Sequence, residues 1–399
     1  MKKVLISSFD MEIGGVERSL ISMLDNFDYE NYDVDLMLYS HSGDLMKLLP
    51  KKPNLLAEAK KYKTFRLSIG ETIKRGNLAI GIARLAARYN AKKTANKNNS
   101  NDSGYIQMQY MWKYSLLLLP KIEKEYDIAI SYLWPHYFVA DKVKAKTKIA
   151  WIHTDYTKLV PNKKLDMDTY SKIDYIVTVS KDCENQFLSV YPMLKDKSLV
   201  VENILSEKFI KEQASEKIID DKFDINKDQI KLVSIGRFTD AKNFDNVPQI
   251  CKYILEKGIN VKWYIIGFGG DETLIKQKIK EFGMEGHVII LGKKENPYPY
   301  IKACDIYVQP SRYEGKAVTV REAQILNKPV VITNFATANS QLIDGFDGII
   351  VPMDNERCAK GIVKLIKDKE LQSKLIENTK KTDYSNKEEI KKIYNILGE

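Results

Sequence analysis

Two features of the sequence predict an α/β protein built from two doubly wound parallel-sheet domains. Short apolar runs alternate with helical patterns through most of the chain, which is the βαβ rhythm of a parallel sheet. The 399 residues are too many for one ordinary hydrophobic core and suit two domains of roughly 200 residues each. Hydrophobic and charged residues make up 44% and 29% of the chain, and both values are typical of globular proteins.

The first domain is predicted for residues 1–205 and opens on a strand at 4–8. Gly14 and Gly15 follow that strand and precede a helix at 16–24, whose apolar residues share one face. Because glycine lets the backbone turn sharply and approach a ligand, this turn is either a binding loop or an ordinary strand–helix connection. The later strands of the domain are predicted at residues 34–39, 127–132, 148–153 and 175–179.

A basic insertion at residues 51–115 interrupts this rhythm. Apolar residues interleaved with Lys and Arg predict one or two amphipathic helices with a basic face. The polar, low-complexity stretch 91–103 predicts a mobile loop. Residues 51–97 hold thirteen Lys or Arg and two Glu, so the formal net charge of +10 is concentrated in this one segment.

Three interpretations of the basic segment are open: a solvated surface, a nucleic-acid site, or a surface that binds an anionic membrane. Nucleic acid is not expected as a partner, because the segment contains no recognised nucleic-acid motif. Basic amphipathic helices bind anionic lipid, and each charge near the bilayer contributes about 1 kcal/mol. The candidate residues for contact with an acceptor or a membrane are Lys60, Lys61, Lys63, Arg66, Lys74 and Arg75.

The second domain is predicted for residues 206–383, followed by a helical tail at 384–399. Glycines after its second strand, among them Gly267, form a second turn that precedes a helix at 273–282. Its strands are predicted at residues 231–234, 262–266, 287–291, 305–309, 330–333 and 348–351.

Glu314 and Glu322 are separated by seven residues in a strand–loop–helix unit of this second domain. Glu314 lies in the loop at the carboxyl end of the strand 305–309, and Glu322 lies on the helix that follows. Ligands of open α/β sheets bind outside those strand ends, and the first amides of a helix favour an anion. A phosphate flanked by two carboxylates that accept hydrogen bonds from hydroxyls describes a sugar nucleotide.

Arg237 and Lys242 follow the first strand of the second domain, five positions apart. Cations fixed against a departing diphosphate stabilise the charge that develops in the transition state. Arg can bind two phosphate oxygens at once and Lys acts as a point charge. Their spacing alone is equally compatible with two solvated charges in a loop.

Five segments in order resemble the retaining glycosyltransferases of family 4, which have the GT-B fold. Glu314-x7-Glu322 is similar to the EX7E signature of that family. The other four segments are residues 14–20, 151–155, 233–243 and 263–269. The resemblance implies two Rossmann-like domains with an interdomain cleft. It also implies that the tail helix at 384–399 packs back on the first domain.

The resemblance also implies roles for individual residues. Arg237 and Lys242 would hold the donor diphosphate, Glu322 the ribose hydroxyls, and Glu314 would face the transferred sugar. His153, at the end of the strand 148–153, would lie near the sugar and phosphate as a catalytic residue. The remaining expected donor contacts are Gly14, Gly15, Gly267, Gly315, Lys316, Ala317, Val318 and Thr319.

No metal ion and no cofactor are expected. Arg237 and Lys242 would make a metal unnecessary. Asp166 and Asp168 match a DxD pattern by letters, but they lie in a predicted polar helix away from the glycine turns. His136 is a candidate for the acceptor side of the site.

The expected activity is that of a metal-independent retaining hexosyltransferase. It would move a sugar from a nucleotide diphosphate donor, with UDP favoured, to a glycan or lipid-linked acceptor in bacterial capsule or surface-polysaccharide synthesis. A sugar-nucleotide epimerase or hydrolase, and a non-catalytic glycan-binding or membrane scaffold, are the alternatives on the same fold. The apolar runs are too short for a membrane helix or a signal peptide, so a cytoplasmic protein is expected, at the inner face of the membrane if the basic segment binds lipid.

Overall fold

The computed structural model describes residues 1–97, 104–224, 229–315, 317–396 and 398. The chain divides into two compact units. Unit 1 comprises Met1–Ile204 together with Glu388–Glu399, and unit 2 comprises Leu205–Lys387.

Unit 1 is built on a seven-stranded parallel sheet in the order β3-β2-β1-β4-β5-β6-β7. The central strands are apolar and buried almost throughout, as expected for strands that are covered on both faces. The first strand pairs with the second on one side and with the fourth on the other. The strands are β1 Lys2–Ser8, β2 Tyr32–Leu38, β3 Asn54–Leu55, β4 Glu125–Ser131, β5 Lys144–Ile152, β6 Tyr175–Thr178 and β7 Ser198–Val200.

Several helices of unit 1 begin at residues whose side chains cap them. Ser68 forms a reciprocal capping box with Glu71, and the side chains of Asn162 and Ser180 accept from backbone amides of their helices. The helices are α1 Gly15–Asp25, α2 Lys60–Lys63, α3 Ile69–Lys74, α4 Leu78–Lys97, α5 Gly104–Ser115, α6 Tyr137–Lys142, α7 Lys163–Tyr170 and α8 Lys181–Val190.

The structure corrects one prediction within the basic insertion. The sequence predicts a loop over residues 91–97, but they form the last two turns of α4. Ala91 and Ala95 lie one turn apart and are buried against Ile106 of α5. Alanine is the best helix former. Its packing on α5 stabilises the helix by more than the polar residues of the segment destabilise it. The rest of the expected loop, 98–103, lies outside the described residues.

Unit 2 is built on a six-stranded parallel sheet in the order β10-β9-β8-β11-β12-β13. Successive side chains of its first strand point to opposite faces of the sheet. Val233 lies in the hydrophobic core on one face, and Leu232 lies in the hydrophobic core on the other face. The strands are β8 Ile230–Ile235, β9 Val261–Ile266, β10 Val288–Gly292, β11 Ile306–Gln309, β12 Val330–Thr333 and β13 Ile349–Val351. The helices are α9 Glu207–Gln213, α10 Val247–Leu255, α11 Glu272–Glu281, α12 Tyr298–Ala303, α13 Val318–Ile325, α14 Ala338–Gln341, α15 Asn355–Lys367 and α16 Lys369–Lys381.

The last helix, α17 Ile390–Ile396, belongs to unit 1. The Tyr394 ring stacks on Tyr32 with the ring centroids 4.7 Å apart, and its hydroxyl accepts a hydrogen bond from the amide of Asp28 at 2.9 Å. Within the described parts of the chain, the helices are all too short or too polar to cross a lipid bilayer.

Both units confirm the predicted fold class of two Rossmann-like parallel sheets. In each sheet the first strand lies between the second and the fourth, so strand order reverses direction there. The carboxyl ends of strands at such a reversal form the crevice in which open α/β sheets bind ligands. In unit 1 these are the ends of β1 and β4, and in unit 2 they are the ends of β8 and β11.

Candidate functional site

The loops that follow β8 and β9 touch through their backbones in unit 2. The amide of Gly236 donates to Ile266, and the amide of Phe238 donates to Phe268. Gly267 has φ +147°, and a Cβ there would lie 1.9 Å from the carbonyl oxygen of Gly236. A side chain at position 267 would therefore push the two loops apart, so glycine is required to hold the edge of the site closed.

Lys242 and Glu314 meet at the strand-order reversal of unit 2, although 72 residues separate them. Lys242 Nζ lies 2.5 Å from Glu314 Oε1, which also accepts from Ser311 Oγ at 2.6 Å. Glu314 is only 7% exposed. The Lys242 stem lies against Gly236, where a Cβ would come within 3.0 Å of it. The structure thus brings together two of the predicted site residues as a half-buried ion pair.

Hydrogen bonds within the loops fix this ion pair in place. Asn243, in the left-handed conformation with φ 58°, donates from its side chain to Pro310 at 2.8 Å. Gln309 accepts from the Tyr307 hydroxyl at 2.7 Å and donates to Ser311 at 2.9 Å. A continuous chain of bonds therefore runs from β11 to Lys242. Sequence reasoning did not identify these supporting residues.

Arg237 extends from the same loop into solvent. Its side chain is exposed, and it makes no ion pair with any residue that the structure describes. The guanidinium is therefore available to an anion from outside, whereas Lys242 already shares its charge with Glu314. The two cations lie on one loop after β8.

Glu322 lies on α13 and is 2% exposed. It accepts a hydrogen bond from the Tyr298 hydroxyl at 2.9 Å, and its neighbours Val320 and Ala323 are fully buried. A carboxylate held this firmly cannot be an ordinary surface residue, because buried Glu is rare without a partner. Tyr298 is a further residue that the sequence did not indicate.

The segment before α13 is held by Gln341. Its Oε1 accepts from the amide of Ala317 at 3.0 Å and its Nε2 donates to the carbonyl of Gly315 at 3.1 Å. The amide of Ala317, an expected donor contact, therefore already has a protein partner. Val318 and Thr319 form the first turn of α13. Lys316, a predicted donor contact, lies outside the described residues.

The glycine turn of unit 1 carries an acidic side chain. A Cβ at Gly14 would lie 2.1 Å from Glu17 Oε2, so the Glu17 carboxyl folds over the start of α1. Burial raises the pKa of this carboxyl above its ordinary value. Gly15 has open space around it. An anion at this turn would therefore meet the Glu17 carboxyl before it met the helix amides.

His136 and His153 lie close together at the carboxyl ends of β4 and β5. Burial lowers the pKa of His136 to about 3 and that of His153 to about 4, so both rings are neutral at ordinary pH. Both rings line a cavity of about 360 Å³ within unit 1. The structure thus groups His153 with His136, a pairing that sequence spacing did not predict.

Asp166 is occupied by hydrogen bonds and is not placed to hold a metal ion. Its Oδ1 accepts from Gln109 at 2.7 Å and its Oδ2 from the Tyr191 hydroxyl at 2.6 Å. Burial raises the pKa of this carboxyl to about 6. Asp166, the first residue of the DxD pattern at 166–168, is therefore a buried structural carboxyl.

Three of the predicted acceptor or membrane contacts have partners within unit 1. Lys63 pairs with Glu58 at 3.0 Å, Arg66 Nε lies 2.6 Å from Asp10, and Lys61 donates to the carbonyl of Leu118 at 2.8 Å. The bonds of Arg66 and Lys61 help to hold the insertion on the rest of unit 1, whereas the Lys63–Glu58 pair lies within the insertion. The other three candidates, Lys60, Lys74 and Arg75, are exposed.

Solved structures share this architecture over the whole chain. A mutant form of Staphylococcus aureus TarM, in complex with fondaparinux, α-GlcNAc-glycerol and UDP, superposes with a TM-score of 0.66 at 14% identity and covers 100% of both chains. Anabaena HepE in complex with UDP and glucose gives 0.64 at 14% identity, again over 100% of both chains. The fold is GT-B.

Sequence comparison points to the same group of GT-B proteins. Residues 215–382 match the family model described as glycosyl transferases group 1. An N-acetylgalactosaminyltransferase of Campylobacter jejuni that acts on a diphospho-undecaprenol-linked sugar is 27% identical over 59% of this chain and 61% of its own. The capsular polysaccharide biosynthesis glycosyltransferase CapM of S. aureus is 29% identical over 43% of this chain and 47% of its own.

The match to curated relatives is partial in length. The chain aligns with only 43% and 65% of the length of two uncharacterized glycosyltransferases of Methanocaldococcus jannaschii. A lipopolysaccharide core glycosyltransferase, LpsE of Rhizobium meliloti, is also similar, at 25% identity. The relatives thus include glycosyltransferases of capsule and lipopolysaccharide biosynthesis.

Proposed function

We propose that this protein transfers a sugar from a nucleotide diphosphate donor, with UDP as the nucleotide, to a glycan or lipid-linked acceptor. The observation that carries the proposal is the Lys242–Glu314 pair at the strand-order reversal of unit 2, with Arg237 exposed on the same loop. A diphosphate at this edge meets two cations, one of them available to it. A carboxylate beside it accepts hydrogen bonds from sugar hydroxyls.

Each residue then has a separate task in the reaction. Arg237 binds two oxygens of the diphosphate, and Lys242 stabilises the negative charge that develops on the diphosphate as the sugar leaves. Glu322 accepts hydrogen bonds from the ribose hydroxyls, either in addition to the bond from Tyr298 or in its place. Arg237 and Lys242 supply positive charge without a metal ion.

The transfer is proposed to retain the anomeric configuration. Glu314, the carboxylate nearest to the diphosphate in this proposal, is bonded to Lys242 and Ser311. Pairing with the Lys242 ammonium draws charge from the carboxylate and weakens it as a nucleophile, so front-face attack is proposed rather than a covalent glycosyl-enzyme. The departing phosphate then takes the proton of the attacking hydroxyl. Capsule or surface-polysaccharide assembly is the proposed setting, in keeping with CapM and LpsE.

Calorimetric titration with UDP tests the cation pair. Arg237→Ala and Lys242→Ala should each weaken UDP binding about ten- to a hundredfold, because each removes a charge-assisted hydrogen bond worth about 1.5–3 kcal/mol. Lys257→Ala is the matched control. Lys257 is exposed just after α10, which returns from the site to the opposite edge of the sheet. Unchanged affinity in both site variants would refute the proposed donor site.

Product analysis separates transfer from the alternatives. With a UDP-sugar and an acceptor extract, a transferase yields UDP and an extended glycan of unchanged anomeric configuration. Release of free sugar identifies a hydrolase, an altered UDP-sugar identifies an epimerase, and UDP binding without turnover identifies a scaffold.

We also propose that α4 attaches the protein to an anionic membrane. Leu78, Ile82, Leu85 and Tyr89 recur along one helical face, with exposed fractions of 57%, 58%, 51% and 70%. The helix contains no Asp or Glu and carries five Lys or Arg residues. An apolar stripe on a purely basic helix matches the headgroup region of anionic lipid.

Vesicle sedimentation tests the membrane proposal. The triple variant Leu78→Ser, Ile82→Ser, Leu85→Ser should lose binding to phosphatidylglycerol-containing vesicles by about tenfold or more, since apolar burial anchors such helices. Leu117→Ser with Met193→Ser is the control, because these apolar residues are exposed and lie outside α4. Equal sedimentation of the triple variant and wild type would rule out α4 as the anchor.

A further inference from the structure

Strand β10 lies at one edge of the sheet of unit 2, and that edge is apolar and unprotected. The strand pairs with β9 on one side, and its five residues, Val288–Gly292, include no charged residue and no proline. Natural edge strands use those residue types to avoid pairing with another chain. The other edge strands that the structure describes, β3, β7 and β13, have two or three residues each. At β13 the amide of Ile350 is already bonded to Asp344 at 2.8 Å.

The outer backbone groups of β10 are available to a further strand. On the inner side, the amide of Trp263 in β9 donates to the carbonyl of His287 at 2.7 Å. Successive residues of a strand direct their backbone groups to alternate sides, so Val288 and Ile290 direct theirs away from β9. The amide of Val288 is bonded to Met284 at 2.8 Å. The carbonyl of Val288 and both backbone groups of Ile290 have no partner among the described residues.

An open groove of about 460 Å³ runs beside this edge. Ile289 and Ile290 of β10 line it and are half-buried, and Ile279 of α11 lines it as well. A groove that combines apolar side chains with unused main-chain groups suits an extended segment, which gains hydrogen bonds from the backbone and packing from the side chains. The groove therefore indicates that a β-strand pairs with β10.

Two exposed charges of opposite sign flank β10. Glu285 precedes the strand and lines the groove, and Lys293 follows the last residue of the strand. Within the described parts of the chain, neither side chain forms an ion pair. Ile289 is the midpoint between them, because Glu285 and Lys293 are each four positions away from it. An edge with opposite charges placed symmetrically about its centre is complementary to a second copy that runs antiparallel to it.

We propose that the protein forms a dimer through β10, with two copies paired antiparallel about a two-fold axis at Ile289. In this register Ile290 lies opposite the partner's Val288, so the amide of Ile290 donates to the carbonyl of the partner's Val288. Glu285 of each copy lies opposite the partner's Lys293. Two hydrogen bonds and two ion pairs therefore form, one of each on either side of the axis. The pairing joins the two six-stranded sheets into one continuous sheet.

The flanking charges favour this register over its neighbour. An axis shifted by one residue, to Ile290, would place Glu285 opposite the partner's Glu295, and like charges directly opposite each other are destabilising. The dimer is closed, because each copy contributes the same edge and that edge is then covered. β10 lies two strands away from β8 in the sheet, so the inference does not depend on the proposed function.

Sedimentation velocity of the full chain tests the inference. As the concentration rises from about 1 to about 200 µM, the wild type should shift from 45.9 kDa toward twice that mass, as expected for a small interface of micromolar affinity. Glu285→Lys and Lys293→Glu should each weaken the dimer about tenfold, because each variant replaces two attractions by two repulsions. The double variant Glu285→Lys, Lys293→Glu should recover the affinity of the wild type. Lys367→Glu is the control, since Lys367 is exposed on α15, which packs on the opposite edge strand β13.

A backbone variant tests the hydrogen bonds separately from the charges. Ile290→Pro removes the amide that donates across the axis, and proline is tolerated at outward positions of edge strands, so the variant should fold and remain monomeric. The melting temperature of each variant reports folding. A wild type that stays monomeric overturns the inference and leaves the edge to a strand of another protein. Dimers that persist in folded Ile290→Pro and in both single charge variants place the interface elsewhere, which also overturns it. A double variant that stays as weak as the single variants refutes the pairing of Glu285 with Lys293.

Discussion

At the scale of single residues, the site of unit 2 depends on a cation that already has a counter-ion. Lys242 is held by Glu314, and Glu314 is held in turn by Ser311. The ion pair fixes the ammonium group in one position before a ligand arrives, at the cost of neutralising part of its charge. Arg237 has no such constraint. Glu314 and Lys242 should therefore respond differently to substitution, although they touch.

Substitution of Glu314 by Gln should separate binding from turnover. The variant keeps the shape and frees Lys242, so UDP should bind as tightly as to wild type or more tightly. Sugar transfer should fall about ten- to a hundredfold, because the carboxylate beside the transferred sugar is lost. Calorimetry and initial rates measure the two effects. A loss of UDP affinity as large as that of Lys242→Ala would show that Glu314 acts only as a structural support.

Asp166 should make stability depend on pH. Burial raises the pKa of this carboxyl to about 6 in the folded protein, above the ordinary value of the unfolded chain. The folded state therefore binds a proton that the unfolded state has lost, and stability falls as pH rises from about 4 to about 6. Between pH 4 and pH 7 the wild type should lose about 2 kcal/mol relative to Asp166→Asn. Urea unfolding at several pH values measures this difference, which would be constant if Asp166 were ionised throughout.

At the scale of elements, the sequence located two of the strands that carry the site to within one residue. The prediction at 330–333 coincides with β12, and that at 305–309 exceeds β11 by one residue. Buried strands are nearly continuous apolar runs, which composition reveals directly. The end of α4 was missed because its stability comes from Ala91 and Ala95 packing on α5, a contact that a polar local composition conceals.

The helical state of residues 91–97 leads to a matched pair of substitutions. Ala91→Glu would bury a carboxyl against α5 and should destabilise unit 1 by about 3 kcal/mol or more. Ala86→Glu lies on the exposed side of the same helix and should change stability by less than about 0.5 kcal/mol. Urea unfolding of both variants measures the contrast. Equal, small effects would indicate that this segment is the loop that its composition predicts.

At the scale of the whole molecule, the same strand order in both sheets explains why site residues far apart in sequence could be anticipated. In both of these sheets the carboxyl ends of the first and fourth strands lie side by side, so Arg237, Lys242 and Glu314, which follow such strands, could be assigned to one edge. The residues that support them could not. Asn243, Gln341 and Tyr298 act through hydrogen bonds to positions 24 to 67 residues away, and nothing in their local sequence marks those partners.

The last helix, α17, belongs to unit 1, so the stability of unit 1 depends on its contacts. Tyr394 of α17 stacks on Tyr32 and accepts from the amide of Asp28. Tyr394→Ala should destabilise unit 1 by about 3 kcal/mol through lost packing, whereas Tyr394→Phe keeps the stack and should cost about 1 kcal/mol for the hydrogen bond. Hydrogen-exchange mass spectrometry should show lost protection in β2 and α1, with peptides of unit 2 unchanged. Equal loss of protection in both units would mean that α17 stabilises the chain by some route other than its contacts with β2.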